Sequence, residues 1–147
     1  SDMFAATGQV QPRDTVMVEV RGTDIDARFV PAVVQTHPGD VIQFVVSEGL
    51  HTVSAYHPDN RRPLRIPNTA ASFDSGLLKA GDTWFLTIEV EGVYDYFCLP
   101  HERMGHVGRI LSGSVQSIHN YPKGKIPEAA LKKLNTETTT FLTKRHN

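Results

Sequence analysis

The chain has one cysteine, no long hydrophobic run and almost equal numbers of acidic and basic residues. Its 147 residues contain a single cysteine, Cys98, so no disulfide can form within the chain. No apolar stretch approaches the ~20 residues that a membrane-spanning helix needs. A formal net charge of −1 gives no support for general nucleic-acid binding. A hydrophobic fraction of 39% and a charged fraction of 21% are typical of a globular domain with a substantial core.

Short segments of alternating polarity predict an all-β domain. Gly-Asp turns, in "HPGD" and "KAGD", introduce two of them, and short strands separated by Gly, Pro and Asp turns indicate a sandwich or barrel. Trp84, Phe85 and Phe97 are expected in its core. Residues 57–78 contain three prolines and are predicted to form a long connection. The predicted strands are residues 15–20, 40–46, 51–56, 82–90, 93–98 and 107–113.

The C-terminal part has a helical character. Residues 126–135 place Pro127 and Glu128 at a helix start and lysines further on, an order that suits the helix dipole. A second helix is predicted over residues 136–144, although three consecutive threonines disfavour it. We therefore expect an N-terminal extension at residues 1–14, a domain at residues 15–115 and a helical tail at residues 116–147 that packs on the domain.

The stretch "YDYFCLPHERMGHVG", residues 94–108, concentrates potential metal ligands. Cys98 ends a predicted strand, and His101 and His106 follow it in one loop. His51 opens another strand and could reach the same end of the domain. A thiolate with imidazoles favours copper or zinc. Two imidazoles and one thiolate with a weaker axial ligand suit type 1 copper, whereas His₃Cys could form a closed tetrahedral zinc site.

Two other interpretations of Cys98 remain open at this point. A lone cysteine is often a buried small hydrophobe. A cysteine nucleophile with His101 as its base is disfavoured, because the two stand at i and i+3 in one proline-containing loop without an orienting Asn or Asp motif.

The segment "GVYDYFCLPHERMGHVGRI" resembles the copper loop of the cupredoxins, in particular pseudoazurins and plastocyanins. The upstream "PGDVIQFVVSEGLHTV" resembles the strand that delivers their first histidine, and the resemblance covers about residues 15–113. It implies a Greek-key β-sandwich with a short C-terminal helical extension, one copper ion, and one-electron transfer without enzymatic activity. It also implies a periplasmic location after removal of a signal peptide, and a redox protein partner that docks near His101.

Carried over by position, the equatorial copper ligands are His51, Cys98 and His101. The family's axial methionine lies eight residues after the cysteine, where this chain has His106. Met104, six residues after the cysteine, is the alternative axial ligand. An axial imidazole should favour Cu(II), lower the potential, shift the colour from blue towards green or red, and add a pH dependence. It also allows two alternative functions, binding of a small molecule such as nitric oxide, or copper handling.

The chain departs from the family beside the ligands, and its other histidines and several arginines also carry predictions. In many family members, an Asn after the first histidine forms a side-chain hydrogen bond with a hydroxyl residue after the cysteine. This chain has Thr52 and Leu99 at these positions, so we expect a looser site. The backbone N–H of Thr52 should still reach the thiolate. The remaining histidines are interpreted as surface residues, with a possible secondary metal role for His57: His37, His57, His119 and His146. Four arginines could steer an acidic partner at the rim of the site, or simply be solvated: Arg61, Arg62, Arg65 and Arg103.

Overall fold

The computed structural model describes residues 14–114 and 121–145. Short extended segments dominate it, as the alternating sequence predicts. No helix in these two ranges has the length and apolar composition to cross a membrane. The strands are β1 Thr15–Arg21, β2 Arg28–Val30, β3 Val33–Thr36, β4 Val41–Val46, β5 Leu50–His51, β6 Ser54–Ala55, β7 Leu78–Lys79, β8 Thr83–Thr87, β9 Gly92–Phe97 and β10 Val107–Ser112, followed by the helix α1 Glu128–Arg145.

Two four-stranded sheets form the domain, in the orders β2-β1-β4-β8 and β3-β10-β9-β6, and β5 pairs with β7. The pairs β1–β4 and β3–β10 are parallel, while the other pairs are antiparallel. Period-two alternation turns Ile42, Phe44 and Val46 of β4 inwards against Tyr94 and Tyr96 of β9. The predicted all-β sandwich with a C-terminal helical extension is confirmed.

Two details of the strand prediction were wrong. Residues 51–56 do not form one strand: β5 and β6 belong to different sheets, because the chain leaves β7 after His51 and joins β9 at Ser54. Phe85 is not in the core. It is 60% exposed, since the alternation that turns Leu86 inwards turns its neighbour outwards on β8.

Within residues 121–145 the tail forms one helix, Glu128–Arg145, where two were predicted over residues 126–144. Its buried positions, Ala130, Leu134 and Thr138, face the second sheet and the 3₁₀ helix Leu99–Met104. Thr138 accepts a hydrogen bond from Arg109 at 3.0 Å. This tertiary contact and the packing of Leu134 outweigh the modest helix-propensity cost of the threonines.

A buried ionic cluster joins the second sheet to the tail. Asp95 accepts hydrogen bonds from Arg109 Nε at 2.7 Å, Arg109 Nη2 at 3.1 Å and Arg65 Nε at 2.9 Å. Arg65 Nη1 also donates to the carbonyl oxygen of Pro122 at 2.8 Å. All three charged residues are 0% exposed. Both alternatives expected for Arg65, steering of a partner and a solvated surface position, were therefore wrong.

Candidate metal centre

Four buried residues meet at one end of the sandwich, and they are the four predicted metal ligands. His51 ends β5, Cys98 directly follows β9, His101 lies in the 3₁₀ helix Leu99–Met104, and His106 directly precedes β10. One potential ligand atom from each residue lies within 4.8 Å of the others. The fold therefore gathers one thiol and three imidazoles into a single cluster, although the first of them is 47 residues from the cysteine.

The imidazole of His51 is held by two backbone carbonyl groups. Its Nε2 lies 2.8 Å from the oxygen of Glu48 and 2.9 Å from that of Gly22, so Nε2 carries the proton and donates. Its Nδ1 is then the free lone pair, and it faces Cys98 Sγ at 3.6 Å. Burial is the main cause that lowers the pKa of His51. A neutral imidazole whose outer N–H is fixed by carbonyl oxygens has the arrangement typical of metal-ligating histidines.

The Cys98 thiol is buried between two imidazole nitrogens. Its Sγ lies 3.4 Å from His101 Nδ1. Burial raises the pKa of Cys98 to about 11, although the backbone N–H groups of Thr52 and His101 act in the opposite direction. The thiol is therefore protonated in the metal-free protein, which argues against an activated nucleophile. The backbone N–H of Thr52 thus acts on the sulfur in the predicted direction, by lowering the pKa of Cys98.

The buried ring nitrogens of His106 indicate whether a metal ion fits among the four residues. The residue is 0% exposed, and neither ring nitrogen has a hydrogen-bond partner among the described residues. Its pKa is lowered to about 2, chiefly by burial and then by repulsion from His51 and His101, while the backbone of Arg28 acts weakly in the opposite direction. Unpartnered buried nitrogens are costly. A cation among these four residues would remove that cost, and thiolate with imidazole is the donor set of copper and zinc.

Met104 is placed differently from His106. Its side chain is 38% exposed, whereas His106 is fully enclosed and its ring packs 4.1 Å from the ring of Phe29, centre to centre. The left-handed Gly105, with φ of 89°, separates the two residues and turns the chain into β10. The burial of its ring nitrogens favours His106 as the fourth ligand.

Thr52 joins the two ligand-bearing segments. Its Oγ1 accepts a hydrogen bond from the backbone N–H of Leu99 at 2.8 Å and lies 3.0 Å from Ser54 Oγ. Ser54 Oγ donates to Asp74 at 2.8 Å. The side-chain pair of the family is absent, as predicted, but a side-chain-to-backbone bond spans the same two positions. The prediction of a looser site therefore does not hold at this link.

Sequence reasoning missed a second link to the ligand loop. Glu102, directly after His101, is 5% exposed and accepts hydrogen bonds from Tyr56 and Arg62. The only sequence signal was a pair of charged residues, Glu102 and Arg103, among the apolar and ligand residues of "LPHERM". Its partners come from residues 56–62, and no local pattern joins them to it.

Two further histidines in the described part of the chain, His37 and His57, are not in the cluster. His37 has 81% of its side chain exposed. His57 is 24% exposed at the side chain, and its Nδ1 accepts a hydrogen bond from the N–H of Asp59 at 2.9 Å. The secondary metal role considered for His57 gains no support, because β5 and β6 are interrupted and the cluster does not include it. His119 and His146 lie outside the described residues.

The surface near His101 combines exposed apolar side chains with charged ones. His101 itself is 7% exposed, and Leu99 beside it is 59% exposed. A cavity of about 580 Å³ opens next to Leu99 and Pro100, between them and the start of the 57–78 connection. Exposed Leu77 and Leu99 line this cavity, Leu50 directly precedes His51, and Met104 lies in the same 3₁₀ helix as His101.

Comparison with known proteins agrees with this geometry. The sequence profile of copper binding proteins, plastocyanin/azurin family, matches residues 16–112. Pseudoazurin of Paracoccus pantotrophus is 32% identical over 135 residues, which cover 91% of this chain and 83% of that protein. Among solved structures, a Sinorhizobium pseudoazurin shares 26% identity with a TM-score of 0.64, covering 85% of this chain and 96% of that one. Pseudoazurin from Methylobacterium extorquens AM1, at 23% identity, has the same fold with a TM-score of 0.68 over 87% and 99% of the two chains. With a matched profile over most of its length and a buried His-Cys-His-His cluster, the chain belongs to the copper-binding plastocyanin/azurin family.

Proposed function

We propose that this protein is a one-electron carrier, and not an enzyme, that binds one copper ion through His51, Cys98, His101 and His106, with His106 as the axial ligand. The observation that carries the proposal is the buried cluster, whose ligand atoms lie within 4.8 Å of one another. Copper bound there would supply a one-electron couple between Cu(I) and Cu(II).

The protein contributes a fixed set of ligands. His51 is oriented by the carbonyl groups of Glu48 and Gly22, and Thr52 joins its segment to Leu99. The backbone N–H groups near the sulfur of Cys98 favour its thiolate form. A ligand set that is already fixed changes little when one charge is added, and small rearrangement is what fast electron transfer needs.

A redox protein partner would dock at the surface around His101. Leu99 and Met104 border this residue, and Arg61 and Arg103 are exposed nearby. An acidic partner would approach faster through such charges. The similarity to pseudoazurins favours a periplasmic location for the mature chain.

The fourth ligand decides between the carrier and a second candidate function. A nitrogen donor favours Cu(II) more than a thioether does, so the axial His106 should lower the potential relative to an axial methionine. A weakly held axial position would instead admit a small molecule such as nitric oxide, or let copper pass to another protein. The His₃Cys set also accepts zinc, which a recombinant protein could acquire in place of copper.

The test compares copper-loaded wild type with His106→Met and the control Met104→Leu. Absorption and EPR spectra of His106→Met should move towards those of a blue copper site, and its potential should rise, whereas Met104→Leu should match wild type. If Met104→Leu changed the spectra and the potential while His106→Met did not, Met104 would be the axial ligand. Cyclic voltammetry checks the carrier role: sluggish or absent electron transfer in wild type would reject it. A spectral response to nitric oxide, or rapid loss of copper to a chelator, would support the second candidate.

A further inference from the structure

A buried carboxylate lies next to the copper-loop histidine and has three hydrogen-bonding groups around it. Glu102 Oε2 accepts from Tyr56 OH at 2.6 Å, and Glu102 Oε1 accepts from Arg62 Nη2 at 2.8 Å and Nε at 3.1 Å. The carboxylate has 6% side-chain exposure, and Arg62 has 22%. This is a two-pronged, charge-assisted pair with a third donor, the geometry that most restricts a carboxylate.

The pair contacts both sides of the ligand loop. The guanidinium of Arg62 binds Glu102, which follows His101, and it also lies 4.5 Å from the centre of the Phe97 ring, which precedes Cys98. Tyr56 contacts the same two residues: its ring packs 4.8 Å from that of Phe97, and its hydroxyl donates to Glu102. The 3₁₀ helix Leu99–Met104 is therefore held from outside by side chains that are 40 and 46 residues away.

The short 3₁₀ helix needs such support. At its ends, His101 N–H donates to the Cys98 carbonyl at a relatively long 3.2 Å and His106 N–H to the His101 carbonyl at 3.3 Å, while Gly105 N–H donates to the Glu102 carbonyl at 3.0 Å. Short 3₁₀ segments have weak internal hydrogen bonds. The position of the His101 ring therefore depends on contacts from elsewhere in the fold. Thr52 holds the start of the helix at Leu99, and Glu102 anchors its middle, directly after His101.

The pair also places two opposite charges beside the site. The negative field of Glu102 reaches the sulfur and contributes to the raised pKa of Cys98. Arg62 compensates this field while the pair is intact, but it lies nearer to water and is screened more strongly. Removing either partner would leave the other charge uncompensated next to the ligands.

We propose that Glu102, held by Arg62 and Tyr56, is a positioning residue of the copper centre that fixes the helix carrying His101 and balances the charge felt by the metal. The proposal rests on the proposed function, because it assigns these residues to the same copper centre. It predicts two separable effects, one on the mobility of the loop and one on the redox equilibrium.

The redox effect is measured by titrating copper-loaded variants at a series of ambient potentials. Glu102→Gln leaves a cation uncompensated and should favour Cu(I), whereas Arg62→Gln leaves an anion uncompensated and should favour Cu(II). At a fixed ambient potential the ratio of Cu(II) to Cu(I) should change by about threefold to tenfold, in opposite directions for the two variants. Arg103→Gln, an exposed neighbour in the same loop, removes the same charge as Arg62→Gln and should change the ratio by less than about twofold.

Two results would overturn the charge part of the proposal. Shifts in the same direction for Glu102→Gln and Arg62→Gln would show that both variants only loosen the loop. An equal shift in Arg103→Gln would show a general effect of net charge. Arg62→Lys keeps the charge and loses the two-pronged geometry, so it should leave the redox ratio close to wild type.

The positioning effect is measured without copper, by hydrogen exchange of the metal-free protein. Glu102→Gln, Arg62→Lys and Tyr56→Phe should each speed exchange of the backbone N–H groups of His101 and His106 by about tenfold, while Arg103→Gln should not. Unchanged exchange would overturn the positioning role. If wild type failed to hold redox-active copper, the proposed function would fail, and this experiment would still decide whether Glu102 fixes the loop.

Discussion

The substitution Asp95→Asn tests the buried ionic cluster that joins the second sheet to the tail. Asp95 is 0% exposed and accepts three hydrogen bonds from Arg65 and Arg109. Asn has nearly the same shape, so the substitution creates almost no cavity. What it removes is the negative charge between two guanidinium groups that are themselves fully buried.

The expected loss of stability follows from that uncompensated charge. Removing one partner of a buried ion pair costs about 3–5 kcal/mol, because the remaining charge keeps its desolvation penalty without its counterion. For a chain of this size each kcal/mol lowers the melting temperature by about 2–4 °C. We therefore expect the melting temperature of Asp95→Asn to fall by roughly 6–20 °C.

Thermal unfolding of the metal-free proteins at neutral pH, followed by circular dichroism, measures the difference. The control is Lys79→Ala, which removes an ion pair of 3.5 Å with Asp82 in which the lysine side chain is 76% exposed. Such a pair contributes less than about 1 kcal/mol, so this variant should melt close to wild type. If Asp95→Asn also melted within about 3 °C of wild type, the cluster would not carry the stability assigned to it here.

Three further predictions concern the site and its supports. Gly108→Ala should destabilise the protein by about 1–3 kcal/mol, measured by urea unfolding, because a Cβ on Gly108 would overlap the ring of Tyr96 on the paired strand; wild-type stability would contradict the close packing. Thr52→Val should cost about 1–2 kcal/mol in the same assay, because the N–H of Leu99 loses its acceptor, whereas Thr52→Ser should behave like wild type; equal loss in both would exclude the hydrogen bond as the cause. Adding Cu(II) or Zn(II) at 100 times its Kd should stabilise the metal-free protein by about 2.7 kcal/mol in thermal unfolding, and EDTA should reverse the gain; no change would argue against a metal at the four ligands.

The sequence predicts the cluster well because the signals that define it are short-range. Cys98, His101 and His106 lie within nine residues at the end of a strand, and counting along that loop places His106 at the position of the family's axial ligand. His51 begins a recognisable segment after a turn. Neither inference needs knowledge of how distant side chains pack.

The supports of the site could not be predicted in the same way. Glu102 is paired with residues 40 and 46 positions away, and nothing in its local sequence distinguishes a buried carboxylate from a solvated one. The local sequence places Arg65 at the surface for the same reason, because its counterion Asp95 is 30 positions away. Buried ion pairs are decided by tertiary packing, whereas strand alternation and ligand spacing are local properties.

The same distinction explains the wrong details of the fold. The pattern of residues 51–56 is that of one strand, but pairing with two different partners divides it. The threonines of the tail lower its intrinsic helix propensity, yet Thr138 gains a buried partner in Arg109. In both places a contact from elsewhere in the fold overrode the local preference.

The contact between α1 and the ligand loop has a practical consequence for attaching this protein to an electrode. A Cβ added at Gly105 would lie 3.3 Å from the carbonyl oxygen of Ala129, so the first turn of α1 presses directly against the loop that carries His101. A linker on that turn would therefore sit against the segment that positions His101. Residue 85, exposed on β8 of the first sheet, offers an attachment point on the sheet against which α1 does not pack.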